Sequence, residues 1–213
     1  MQPLKLDDVA TILCLGAHSD DIEIGCGGTV LRLLEESPAV RMHWVVFSAS
    51  GDRAQEAEAS AERFIGHASE TTVELHEFRD GFLPYDGGAV KERFEDLKRR
   101  VRPDLIFTHH RHDLHQDHRL VCELTWNTFR DHRVLEYEVP KWDGDLGRPN
   151  LYFPLEDTHG RTKVEILLDC FASQRDKRWF SAETFRGLMR IRGVECNAPS
   201  GYAEGFYARK LTL

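Results

Sequence analysis

Apolar positions fall along the chain in short unbroken runs that alternate with stretches of helical spacing. "VATILCLGAH" (9–18) is a continuous apolar run, the pattern of a strand covered on both faces. "GGTVLRLLEES" (27–37) then sets Val30, Leu33 and Leu34 on one helix face, with Pro38 as a stop signal. The pair recurs as strand 41–50 and helix 52–67, strand 71–78 and helix 88–101, strand 104–110 and helix 117–132. Four rounds of this alternation predict an α/β fold with a mostly parallel sheet flanked by helices. Past residue 133 the pattern loosens. "VLEYEVP" (134–140) and "NLYFPLE" (150–156) predict short strands around a turn at "KWDGDLGRPN", 161–174 predicts a helix, and 201–213 a terminal strand. No repeat, low-complexity stretch or linker divides the chain, so a single domain over 1–213 is expected.

Strand order turns this pattern into location. Strands joined by right-handed helical crossovers all point the same way. His18 to Asp21 follow the first strand, Asp52 and Arg53 the second, Asp80 the third, and His109 to His118 the fourth. All of them therefore collect at the carboxyl edge, where open α/β sheets bind ligands.

Composition narrows the function classes. The formal net charge is -8, from 28 basic and 36 acidic residues, and the one basic cluster, Lys98 to Arg102, reads as a solvated helix end. Nothing supplies the basic stripe that nucleic acid requires. Cys14, Cys26, Cys122, Cys170 and Cys196 show no C-x-x-C spacing and have apolar neighbours, which points to reduced core thiols. The start "MQPLKLDDVATILCLG" lacks a basic leader, and no apolar stretch approaches a membrane span, so a cytoplasmic location is expected.

Two stretches carry candidate chemistry: "GAHSDDIEIGCGG" (16–28) and "THHRHDLHQDHR" (108–119), the second holding five of the eleven histidines. His18, Asp21 and His118 form a mixed N/O set suited to Zn²⁺ or another divalent transition metal, with a position left for water. Asp20, beside a ligand yet free to point elsewhere, is placed to take a proton from a metal-activated water. His115 lies three residues before His118 at a helix start, so either could ligate while the other stabilises an oxyanion or protonates a leaving group. The "GCGG" segment lacks the G-x-G-x-x-G spacing of a dinucleotide loop and reads as close strand–helix packing.

"AHSDDIEIGCGG" resembles the A-H-P-D-D-x-x-x-G-x-G-G signature of the PIG-L/LmbE family of zinc-dependent N-acetyl-sugar deacetylases. "PDLIFTHHRHDLHQDHR" is similar to that family's second signature, a strand ending before H-P-D-H. The tail "LMRIRGVECNAPSGYAEGFYA" also looks like the end of family members. The resemblance implies a Rossmann-like fold, with residues 1–132 forming the metal-site core and 133–213 the substrate side. It also implies hydrolysis of the N-acetyl group of an aminosugar conjugate. On this likeness His18, Asp21 and His118 are metal ligands, Asp20 the general base and His115 the support of the tetrahedral intermediate. Asp117 would orient one of the motif's histidines, and Arg53 and Asp80 would hold the sugar. Ser19 and Gln116 replace prolines, Ile22 stands where many members have Glu, and Asp113 and Leu114 stand where some place a tyrosine. Members are often multimeric, so a homo-oligomer is compatible.

Two other readings use the same residues: a two-metal phosphoesterase recruiting His109 and His112, and a non-catalytic sugar binder. His109, His110 and His112 are otherwise expected around the ligands or on the rim. His159 is expected to cap a helix or line the pocket, and Glu204 is a rim candidate. Trp44, Trp126, Trp142 and Trp179 read as packing, although Trp142, in a polar loop, is able to stack on a pyranose.

Overall fold

The computed structural model describes Leu6 and residues 8–211, so the last two positions of the predicted terminal strand lie outside the described residues. The first four strand–helix rounds form as the pattern predicts. They are β1 (Thr11–His18) and α1 (Asp21–Glu36), then β2 (Arg41–Ser48) and α2 (Asp52–Ile65). β3 (Glu70–Leu75) with α3 (Gly87–Arg100), and β4 (Leu105–His109) with α4 (Gln116–Thr128), complete them. The rest comprises β5 (Arg133–Tyr137), β6 (Leu151–Leu155), α5 (Asp157–Cys170), α6 (Ala182–Glu195) and β7 (Tyr202–Ala208).

These strands build one seven-stranded sheet in the order β3-β2-β1-β4-β5-β7-β6. β3 through β5 run parallel, whereas β7 is antiparallel to both its neighbours. The chain reverses direction of winding between β1 and β4, which opens a crevice at their carboxyl ends. Alternate residues of β1 feed opposite faces: Ile12 and Cys14 join the core under α1, α2 and α5, while Leu13, Leu15 and Ala17 join the core under α3 and α4. Both faces are thereby covered, as a parallel sheet requires. The result is a single-domain α/β fold.

Three features differ from the sequence pattern. α1 begins six residues before the predicted 27, with the glycines inside it. A Cβ at Gly25 would lie 2.1 Å from the Tyr137 ring, one at Gly27 2.7 Å from Phe64, and one at Gly28 2.6 Å from Leu155. The glycines thus allow close helix packing on β5, α2 and β6. The second difference is that β5 and β6 do not pair across their turn, because β7 lies between them. The third is α6, which the apolar spacing did not predict. Its start is capped by Ser181, whose hydroxyl accepts from the Thr184 N–H at 3.2 Å. Its inward face carries Phe185 and Met189 but also Arg192, whose guanidinium donates to both oxygens of Glu138 at 2.8 Å. A charged residue on a buried face masks helical periodicity.

Candidate functional site

His18 ends β1, Asp20 and Asp21 open α1, and His115 and His118 open α4, so helix starts present the polar groups at the crevice between β1 and β4. Asp21 is buried, and its Oδ2 accepts from the His18 backbone N–H at 2.6 Å, which fixes the turn. His115 is the N-cap of α4: its Nδ1 accepts from the Asp117 N–H at 3.3 Å, leaving the ring proton on Nε2.

Three donor groups converge here. His18 Nδ1 lies 3.1 Å from His118 Nε2 and 3.2 Å from Asp21 Oδ2, and Asp21 Oδ1 lies 3.4 Å from His118 Nε2. The far nitrogens of both rings are engaged elsewhere. His118 Nδ1 donates to Asp113 Oδ2 at 2.9 Å. His18 Nε2 meets Asp117 Oδ2 at 3.2 Å and Asp80 Oδ1 at 3.1 Å. Carboxylates hold the outward nitrogen of each ring, so the inward nitrogens of two imidazoles and a carboxylate face one another. Such a cluster favours positive charge, carried by protons on the rings or by a cation between them. Potential metal-holding groups overlap at this point: His18 with His115 and His118, Asp21 with His109 and His118, and His18 with Asp80 and Asp117.

The electrostatics follow the same geometry. Burial opposes charging His18, but Asp21 and the hydrogen bonds to Asp117 and Asp80 raise its pKa well above the usual imidazole value. Burial likewise opposes the Asp21 anion, yet His118, His109 and His18 hold its carboxyl well below the usual range. Asp20 moves the other way: burial raises its pKa, and the Arg53 charge only partly offsets this. Arg53, in the first turn of α2, donates to Asp20 Oδ1 at 2.8 Å. Burial and the neighbouring His118 and His18 lower the pKa of His115, which keeps it neutral.

His18, Asp20, Asp21, His115, Asp117 and His118, with Arg53 and Asp80, therefore meet at one point, but some contacts are new. The Asp117 carboxylate turns to His18 and to the backbone N–H groups of Gly81 and Leu83, at 2.7 and 3.1 Å. It thereby fixes the loop that carries Asp80, where Gly81 adopts φ 78°, a conformation that side chains resist. Asp113, flagged in the sequence only as standing near a missing tyrosine, is the carboxylate that orients His118. Asp113 is held in turn by Lys141, whose Nζ lies 3.0 Å from Asp113 Oδ2 and 2.7 Å from Asp145 Oδ2. Lys141 lies far from either motif, and nothing local in "PKWDGD" announces the contact.

That ion pair is buried on both sides. Replacing Lys141 with Met leaves Asp113 bonded to His118 and to the His115 N–H but short of its cation. The expected loss of stability is about 2–3 kcal/mol, below the ~3–5 kcal/mol of a pair left wholly uncompensated. Urea denaturation of K141M checks it, and an unchanged midpoint would contradict it.

The remaining histidines serve other ends. His109 Nε2 accepts from the Ala17 N–H at 2.9 Å, and burial together with the His118 charge lowers its pKa to about 4. His110 pairs with Glu136 at 2.9 Å and stacks on Tyr207, while His112 packs edge-on against His110. His159 completes the capping box of α5 with Glu156 and reaches Glu35. Glu204 is not on the rim: it is buried, accepting from Lys163 and from the Gly28 and Thr29 N–H groups, and it fastens β7 to α1.

The family model described as PIG-L, GlcNAc-PI de-N-acetylase, matches residues 13–129, which include both motifs. The chain belongs to the PIG-L family. A relative, the uncharacterized deacetylase YaiS of Escherichia coli K12, is 30% identical over 168 residues, covering 73% of this chain and 88% of YaiS. The PIG-L fold is also evident in solved structures. The N,N'-diacetylchitobiose deacetylase of Pyrococcus horikoshii superposes with a TM-score of 0.71 at 20% identity, over 93% of this chain and 83% of that one. GalB, the 4-carboxy-2-hydroxymuconate hydratase of Pseudomonas putida KT2440, gives 0.75 at 21% identity, over 95% and 97%. A deacetylase and a hydratase thus share this architecture, and the site must decide the chemistry. Among the described residues no helix is long and apolar enough to cross a membrane.

Proposed function

We propose that this PIG-L member is a metal-dependent hydrolase that removes the N-acetyl group from an acetamido sugar or its conjugate, releasing acetate. The observation that carries the reading is the convergence of His18 Nδ1, His118 Nε2 and Asp21 beside the Arg53-held carboxylate of Asp20. The family and the deacetylase YaiS support the reaction class. The donor set fits a divalent transition ion, with Zn²⁺ as the first choice for two imidazoles and one carboxylate. An ion held by His18, Asp21 and His118 would acidify a water and polarise the acetyl carbonyl.

The chain's own residues supply the rest. Asp20, aligned by Arg53 and raised in pKa by burial, takes the proton as the water oxygen bonds to the carbonyl carbon. His115, neutral and with its proton on Nε2, donates a hydrogen bond to the developing oxyanion. The C–N bond then breaks, and Asp20 returns its proton to the leaving amine. Asp117 positions His18 and the Asp80 loop, while Asp113 fixes His118. Asp80, whose Oδ1 lies 3.1 Å from His18 Nε2 and whose side chain is 62% exposed, turns its other oxygen to sugar hydroxyls. Residues beyond 133 contribute the substrate side through the Lys141 loop.

A two-metal phosphoesterase is less compatible with the geometry, because the His109 Nε2 lone pair is occupied by Ala17 and His112 sits on His110. The test is acetate release from a panel of N-acetylhexosamine conjugates, with alkene hydration assayed in parallel. Release of acetate from at least one conjugate is expected. Hydration alone, or neither activity, would overturn the reading.

A further inference from the structure

Two loops are each tied to a flank of the site. The loop after β5 is anchored by Lys141, through Asp113, to His118. The segment after α5 is anchored by Ser173, whose N–H and hydroxyl donate to the two oxygens of Glu56 at 2.8 and 2.5 Å. Glu56 lies one turn beyond Arg53 on α2, so this anchor stands beside the arginine that holds Asp20. Each loop carries a tryptophan, and the two meet: the Trp142 and Trp179 ring centroids are 6.4 Å apart at 78°.

This corner is open to solvent. Trp142 is 74% exposed, while Trp179 is backed by Phe180 with centroids 5.7 Å apart. A large ring held out in solvent beside the Lys141 anchor contributes little to the core and offers a flat apolar face to a ligand. Charged groups fringe it: Lys177 Nζ lies 5.6 Å from the Trp179 centroid, and Asp143 lies 4.0 Å from Lys141 Nζ. A purely aromatic guest favours a walled apolar pocket. A pyranose suits an open corner of this kind, with its C–H face on one indole, its edge against the other and its hydroxyls toward the charged fringe.

We propose that Trp142 and Trp179 form a subsite for a second sugar ring, so that the substrate is an acetamido sugar joined to another pyranose. The proposal rests on the deacetylase reading, since that reading places the acetamido group between Asp20 and His115. It goes further in naming what is attached to the reacting sugar.

The experiment compares kcat/KM for acetate release from N-acetylglucosamine, N,N'-diacetylchitobiose and 4-nitrophenyl N-acetyl-β-glucosaminide, in the wild type, W142A and W142F. The wild type should favour the disaccharide over the monosaccharide by about tenfold, the scale of one lost ring contact. W142A should lose that preference while turning over the monosaccharide as before, and W142F should keep most of it. Parallel loss on both substrates, or an unchanged ratio, overturns the subsite. A Trp142-dependent preference for the nitrophenyl glycoside alone overturns the sugar as occupant in favour of an aromatic aglycone. If no substrate releases acetate, the deacetylase reading fails on its own, and calorimetry then decides the subsite. Disaccharide binding that W142A weakens about tenfold supports it, and binding indifferent to Trp142 overturns it.

Discussion

Asp20→Asn should lower kcat for acetate release by roughly 10³-fold, within the range that a positioned general base supplies, while the protein stays folded. Asparagine keeps the shape and still accepts from Arg53, whose guanidinium lies 2.8 Å from Asp20 Oδ1, but it cannot take a proton. The substitution also leaves the His18, Asp21 and His118 cluster untouched, so the divalent-ion content should not change. Measured together, kcat and ion content separate the roles. Lost turnover with full ion content assigns the base, whereas wild-type turnover in D20N would remove Asp20 from the mechanism.

The second large effect is expected at Asp21. Its carboxylate faces His18, His109 and His118 and accepts from the His18 backbone N–H. Asp21→Ala takes away a proposed ligand and the anion that faces the inward nitrogens of two imidazoles. Divalent-ion affinity should fall by more than the ~10–100-fold that changing a ligand's hydrogen-bond partner costs. Elemental analysis of dialysed protein should find about one ion per chain in the wild type, in line with a single three-ligand site, and almost none in D21A. Chelation of the wild type should abolish acetate release, and re-addition of the ion should restore it. Retention of a full equivalent in D21A would move the metal site elsewhere.

The parts of this protein legible in the sequence share a physical cause. β1, β2 and β4 are covered on both faces, and their unbroken apolar runs mark them directly. Because helical crossovers force parallel strands, His18 and His118 could be assigned to one rim although 100 residues separate them. What could not be read depends on contacts that no local pattern records. Lys141 reaches Asp113 across 28 residues, and the sequence around it resembles an ordinary polar turn. β7 was legible as a strand, but its place between β5 and β6 was not, since strand pairing in that region is antiparallel and non-sequential. The apolar pattern does not reveal α6, because Arg192 interrupts its apolar face, its charge neutralised by Glu138 on the segment after β5. The glycines of α1 were legible as close strand–helix packing, although the apolar spacing alone starts the helix only at residue 27. In the fold they let Tyr137 and Phe64 approach the helix backbone.

The insertion of β7 also constrains the order in which the molecule assembles. Residues 11–137 can pair β1 through β5 as they leave the ribosome, because each parallel partner has already been made. β6 has no such partner. It is synthesised some fifty residues before β7, the strand that joins it to the sheet. Until residue 202 appears, β5 presents an unpaired edge and β6 has nothing to bond, the condition in which nascent chains pair with one another. Glu204 lies at the centre of that closing strand and also grips Gly28 and Thr29 of α1. β7 thus fastens α1, a helix made well before it, and nascent chains should be most prone to aggregation just before β7 emerges.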